Sequence, residues 1–283
     1  MDINVPALRY YGGKWRLAPW IIEHFPMPSV VECYVEPYCG AASVLLRKPP
    51  SPIEVINDLD CELVNFFRVL RERTDELIRA IRLTPFSRRE HERSWGPMEG
   101  LTALERARRY YVRSWQGWGG GRSGDPSGWR FQRKEALGNL GTDAWNRIEH
   151  LFAIAERLKN VFIECDEALR IIERYDASRT LFYLDPPYLP TLRGDGNRHA
   201  YRHDVDGAYH RRLLEIVQGL EGMVILSGYP SEQYDDMLGD SATGWHRVAK
   251  VARTTKAKKA REVLWLSPAV VANQRQMRLW KLI

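Results

Sequence analysis

Metal-ligand spacing is missing from this chain. Its 283 residues include four cysteines and seven histidines, and no cysteines stand as C-x-x-C, so zinc-type and thioredoxin-type sites are excluded by pattern. Cys33, Cys39, Cys61 and Cys165 lie in apolar or motif settings, which reads as reduced, metal-free thiols of a cytoplasmic protein. Long apolar runs are absent too. None approaches membrane-spanning length, and the first residues lack the charged-then-apolar order of a signal peptide. No full G-x-G-x-x-G occurs, which counts against a dinucleotide dehydrogenase. There is no internal repeat and no long low-complexity tract. The sequence is 44% hydrophobic, enough for one large α/β domain or a core domain with an insertion. The net charge of +6 is modestly basic, consistent with a polyanionic partner.

Leu181-Phe182-Tyr183-Leu184 reads as a short buried strand that stops at Asp185-Pro186-Pro187-Tyr188. A corner at the carboxyl end of a parallel strand is where open α/β sheets keep their ligands. The Asp185 carboxylate can accept one hydrogen of an amine. Neither Pro186 nor Pro187 has an N–H, so a carbonyl of the turn stays free for the second hydrogen. Tyr188 offers a face on which a base could stack. An amine held by two acceptors is pushed toward sp3 character and becomes a nucleophile without a general base. The competing reading is an ordinary turn with Tyr188 as packing.

Other stretches supply a matching cofactor site. Tyr10-Tyr11-Gly12-Gly13-Lys14 is a glycine turn with aromatics, ahead of an expected helix from Leu17 to Phe25. Val30 to Glu36 reads as a strand. Glu36-Pro37-Tyr38-Cys39-Gly40-Ala41-Ala42-Ser43 then reads as a tight turn into a helix over Val44-Leu45-Leu46. Small residues there let a backbone approach a ligand, and the expected helix start favours an anionic group. Glu36 instead suits an ammonium, such as the amino-acid end of S-adenosylmethionine. Pro52 to Asp58 reads as a second strand ending in an acid, placed to accept ribose hydroxyls. Capping of the helix from Leu59 to Leu70 is not exclusive with this, because either Asn57 or Asp58 could do both. Val161 to Asp166 is a further strand, whose Asp166 could hold an adenine amine or cap the next helix.

From about Thr74 to Gly141 the α/β alternation stops and arginine becomes dense. A helix from Leu101 to about Trp115 leads into a glycine-rich loop carrying Arg113, Trp115, Gln116, Trp118, Arg122, Trp129, Arg130 and Arg133. Such residues contact phosphates, wedge between bases and read base edges. This is an expected, mostly helical, nucleic-acid-reading insertion, with a solvated arginine face as the plainer alternative. Thr142 to Leu158 is expected to be helical. Leu189 to Asp204 is polar and suits a lid, Gly207 to Leu220 a helix, and Gly222 to Ser227 a strand. A closing β-hairpin over Trp245–Val251 and Glu262–Leu266 has a connection that includes Lys256, Lys258 and Lys259, suited to a phosphate backbone.

The order of these parts resembles the Dam-type, α-class DNA adenine methyltransferases. The resemblance rests on Gly12-Gly13-Lys14, Glu36-Pro37-Tyr38-Cys39-Gly40, Asn57-Asp58, Asp185-Pro186-Pro187-Tyr188 and Arg261-Glu262-Val263-Leu264-Trp265, and covers nearly the whole chain. It implies a Rossmann-like sheet with a terminal hairpin, catalytic over 1–73 and 142–283, with a target-recognition insertion at 74–141. It implies transfer of methyl from S-adenosylmethionine to N6 of a flipped adenine in double-stranded DNA, with or without a companion restriction nuclease. Gly40-Ala41-Ala42 has fewer glycines than relatives often show, and the insertion is richer in tryptophan and glycine than a GATC reader. Two alternatives stand beside this: methylation of an RNA base amine, and a DNA-binding module that does not catalyse.

Overall fold

The computed structural model describes residues 3–119, 126–130, 141–189, 192, 203–239, 243–253 and 259–280. Its centre is a seven-stranded sheet in the order β3-β2-β1-β4-β5-β7-β6. The strands are β1 (Cys33–Glu36), β2 (Ile53–Asn57), β3 (Val161–Glu164), β4 (Thr180–Leu184), β5 (Met223–Gly228), β6 (His246–Arg253) and β7 (Lys259–Leu266). The first five run parallel, and the hairpin of β6 and β7 closes the sheet antiparallel to β5. This is the Rossmann-like sheet with a terminal hairpin that the resemblance implies. Because β1 lies between β2 and β4, the strand order reverses there, leaving a crevice at the carboxyl ends of β1 and β4.

Both faces are covered, so the central strands are apolar without alternation. Every residue of β4 is buried. Leu181 and Tyr183 join one core with Tyr34, Ile56 and Leu264, while Phe182 and Leu184 join the other with Val35, Val224 and Trp265. Helices α1 (Ala18–Ile22), α2 (Cys61–Glu72), α3 (Thr74–Arg82), α4 (Arg88–Ser94), α5 (Ala103–Gln116), α6 (Gly141–Asn146) and α7 (His150–Leu158) come before β3. Helix α8 (Ala168–Tyr175) follows β3, and α9 (Gly207–Gln218) and α10 (Glu232–Leu238) flank β5. The last helix, α11 (Pro268–Trp280), lies beyond the elements expected from sequence.

Thr102 caps α5 by accepting from the Glu105 amide, and the helix lays Ala107, Tyr111, Val112 and Trp115 into the first core. Tyr110 and Tyr111 stack on Phe66 of α2. Arg106 Nε lies 3.1 Å from both Glu62 oxygens, and the Tyr110 hydroxyl donates to Asp60 at 3.2 Å. The described part of 74–141 thus shares a core with the catalytic sheet.

Three expectations are corrected. The first helix is shorter than Leu17 to Phe25, ending at Ile22. The helix expected over Val44-Leu45-Leu46 is a series of turns instead. Gly40 and Ala42 there take φ of 48° and 51°, left-handed values that an α-helix does not contain. Beyond them the Leu46 and Lys48 amides donate to the Ala42 and Val44 carbonyls, single helical turns that do not extend into a regular helix. Finally, Cys61 and Cys165 are joined in a disulfide, while Cys33 and Cys39 are free and buried. The parallel register pairs Asn57 with Glu164, so Cys165, just past β3, lies near Cys61 at the start of α2, with Cα atoms 6.0 Å apart. Spacing along the chain could not reveal that pairing.

Candidate active site

A cavity of about 380 Å³ occupies the crevice at the ends of β1, β2 and β4. Its size suits a small organic ligand. Of the residues expected to bind a cofactor, Tyr10, Tyr11, Gly12, Lys14, Glu36, Pro37, Tyr38, Cys39, Gly40, Ala41, Ser43, Asp58 and Asp166 all line it. Asp185 and Pro187 line it too, but Pro186 and Tyr188 do not.

The acids are held from below by the chain's own polar groups. Glu36 Oε1 accepts from the Tyr34 hydroxyl and from the Leu45 amide, both at 2.6 Å. Burial pushes its carboxyl up to about 7, against those bonds and nearby Lys48. Lys48 is placed over the Tyr34 ring and paired with Glu54, which also meets Arg157. Asp58 accepts from the Gly40 amide at 3.0 Å and the Asp60 amide at 2.9 Å, yet burial pushes its carboxyl up to about 6. Asp166 has both carboxylate oxygens engaged, one by the Glu167 amide and one by Arg174. It holds the Glu167 amide, just before α8, as well as lining the cavity.

At the β4 corner, Lys14 is buried and its Nζ lies 2.8 Å from Asp185 Oδ2. Asp185 Oδ1 is buried with no hydrogen-bond partner, although the Tyr188 and Ser227 hydroxyls lie near enough to favour its charge. Burial pushes the Asp185 carboxyl up and Lys14 pulls it back. Tyr188 is buried, its hydroxyl donating to Glu262 Oε2 at 2.9 Å. Lys14 Nζ lies 4.8 Å from the Tyr188 ring centroid. The Lys14 ammonium thus sits over that ring.

Asn57 and Tyr209 also line the cavity and tie its walls together. Asn57 donates to the carbonyls of Pro37 and Asp166 and accepts from the Asp166 amide, stapling three loop ends around the cavity. Its place at a strand end was the available signal. Tyr209 lines the cavity and bonds the Tyr38 hydroxyl at 2.8 Å; an aromatic within a helix gave no such signal.

The expected DNA contacts divide. Trp118 is 46% exposed, with the Arg130 guanidinium 5.5 Å from its ring. Gly117 and Trp129 form a bridge that closes the base of this loop. Trp129 packs against Phe86, beneath Arg88. Arg113 donates to the Ser94 carbonyl and lies over Trp95. Trp115 and Gln116 are corrected: both are buried, Trp115 bonded to the Ala7 carbonyl and Gln116 to Ser87 and Pro85. They are interior anchors of α5, removed from any surface DNA could touch. Arg122, Arg133, Lys256 and Lys258, the side chain of Lys259, and most of the Leu189–Asp204 stretch lie outside the described residues. Among the described residues, no group of three or more His, Cys, Asp and Glu could hold a metal ion. No described helix is long and apolar enough to cross a membrane.

A family model for D12 class N6 adenine-specific DNA methyltransferase matches residues 10–95 and 141–252. The DNA adenine methylase of Escherichia coli (strain K12) is 28% identical over 232 residues, covering 78% of each chain. That of Salmonella typhi is 28% identical over 257 residues, 89% of this chain and 87% of its own. The type II methyltransferase M1.LlaDCHI of Lactococcus lactis subsp. cremoris is 32% identical over 73 residues, 26% of this chain and 25% of its own.

Proposed function

We propose, since the chain belongs to the D12 class of N6 adenine-specific DNA methyltransferases, that the cavity binds S-adenosylmethionine and that Asp185 receives the target amine. The enzyme methylates adenine in DNA. What carries the assignment of the site is Asp185 Oδ1, a buried acceptor without a partner at the edge of a cavity that also presents Glu36 and Asp58. An unmatched buried acceptor is costly unless a ligand completes it.

The cavity fits the cofactor by its donor set. Glu36 would take the ammonium and Asp58 the ribose hydroxyls, and Gly40 lets the chain pass close because a Cβ there would lie 2.9 Å from Tyr10 Cε1. When bound, S-adenosylmethionine supplies a methyl group on a positively charged sulfur. An adenine inside a duplex cannot reach this corner, so the base flips out, at about a few kcal/mol. Asp185 Oδ1 then accepts one N6 hydrogen and the Pro186 carbonyl the other, directing the nitrogen lone pair outward. Lys14 leaves the Tyr188 ring to make room for the base. The corner's contribution is position and fixed charge.

The segment from 74 to 141 is the target reader in this scheme, contacting double-stranded DNA through Trp118, Arg130 and neighbouring loop residues. The family match omits residues 96–140, as suits a part that reads a target particular to this enzyme. The test is transfer of labelled methyl from S-adenosylmethionine to unmethylated genomic DNA, followed by sequencing for methyladenine. Label is expected with the wild type and none with Asp185→Ala, while calorimetry finds the cofactor bound to both. Near-normal transfer by Asp185→Ala overturns the assignment.

A further inference from the structure

We infer that Glu262 is a positioning residue: from β7 its carboxylate holds the Tyr188 hydroxyl and so fixes the aromatic face that receives the target base. This rests on the reading of the Asp185-to-Tyr188 corner as the base site.

Tyr188 follows β4, and the contact crosses to a strand that is not its neighbour in the sheet. Tyr188 OH lies 2.9 Å from Glu262 Oε2 over a separation of 74 residues. Glu262 is 7% exposed, next to the wholly buried run Val263-Leu264-Trp265-Leu266. A carboxylate there is costly to bury, and an apolar residue would pack more favourably if packing were its only task. Lys14 and Asp185 are the charged groups that act on it. The ring it holds is braced on a second side by Tyr229, with centroids 4.5 Å apart at 61°. The Lys14 ammonium, at the tip of a flexible side chain, also lies against the ring. When a base arrives, the tethered ring stays and the lysine moves.

The test compares three substitutions at Glu262 with Tyr188→Phe in the full-length enzyme, reading kcat, KM for DNA, cofactor Kd and thermal unfolding. Glu262→Asp keeps the charge but withdraws the acceptor, and kcat is expected to fall about tenfold or more with cofactor Kd little changed. Glu262→Gln loses the charge but keeps an acceptor oxygen, and kcat is expected to stay within about threefold. Tyr188→Phe removes the same bond, so adding Glu262→Ala to it costs less than about threefold further. Full activity in Glu262→Asp overturns the inference. So does a Glu262→Ala loss that is undiminished in the Tyr188→Phe background, because Glu262 then acts through something else. Near-normal transfer by Asp185→Ala would instead remove the base site beneath it, so the two failures are told apart.

Discussion

The ammonium of Lys14 lies 2.8 Å from Asp185 Oδ2, with the two side chains only 6% and 17% exposed. Each partner sets the other's proton affinity. Burial alone would lower Lys14, but Asp185 and Glu262 hold it above its ordinary value. Burial raises Asp185, and Lys14 is the largest influence pulling it back. Lys14→Ala removes that pull, so the Asp185 carboxyl rises further and protonates at a higher pH. A neutral Asp185 is a poorer acceptor for the target amine. The acid limb of the kcat/KM profile should therefore move to higher pH in Lys14→Ala. An acid limb identical to that of the wild type would show that this pair does not control the reaction.

The two cofactor-facing acids make a second pH dependence. Burial holds Glu36 at about 7 and Asp58 at about 6, each above its unfolded value, so both stay protonated further up the pH scale when folded. Their contribution to stability is full below the unfolded values and is lost as pH rises through about 6 and then about 7. Cofactor binding has the opposite sign, because an ammonium and ribose hydroxyls are held best by ionised acids. Affinity for S-adenosylmethionine should weaken as pH falls through these values. Binding near pH 6.5, between them, should release roughly three quarters of a proton from Glu36 and one quarter from Asp58, about one in all. Calorimetry in buffers of different ionisation enthalpy measures that release. Zero release would remove Glu36 from the ammonium site.

Gly40 and Ala42 offer a paired test of the turn beneath the ligand. Both take positive φ, 48° and 51°, but only glycine adopts such values without strain. A Cβ on Gly40 would also meet Tyr10 Cε1 at 2.9 Å. Gly40→Ala should cost about 1–2 kcal/mol of stability and weaken cofactor binding as Tyr10 is displaced. Ala42→Gly should relieve strain and stabilise by up to about 1 kcal/mol, less the entropy that glycine loses on folding. Denaturant unfolding of the two variants, with opposite signs expected, checks both.

The parts of this molecule that were legible in sequence share one property: they are local. Phe182 and Leu184 announce a buried strand, and Asp185 ends it, because periodicity and proline act over a few residues. The cofactor-lining acids follow the same logic, each at a strand end. What escaped depends on register between distant strands. Glu262 reaches Tyr188 only because β7 enters the sheet beside β5. Trp115 and Gln116 looked like surface residues because they adjoin a glycine-rich loop, yet α5 ends before that loop and its last turn faces the core. The turns that stand in place of a helix after Gly40 follow two left-handed residues, Gly40 and Ala42, which composition does not disclose.

The disulfide carries the last prediction. Cys61 begins α2 and Cys165 follows β3, and the bond closes a loop of sequence separation 104. Closing so long a loop restricts the unfolded chain and should contribute about 3–5 kcal/mol. The bond also joins the backbone beside Asp60 to that beside Asp166, both on the cavity wall. Reductant should therefore lower Tm by several degrees in the wild type and weaken S-adenosylmethionine binding. In the Cys61→Ala, Cys165→Ala double variant, reductant should change neither quantity, and the variant should match the reduced wild type. A wild type insensitive to reductant while its thiols are demonstrably free would mean that α2 and β3 are held together by packing and the Asn57 staple alone.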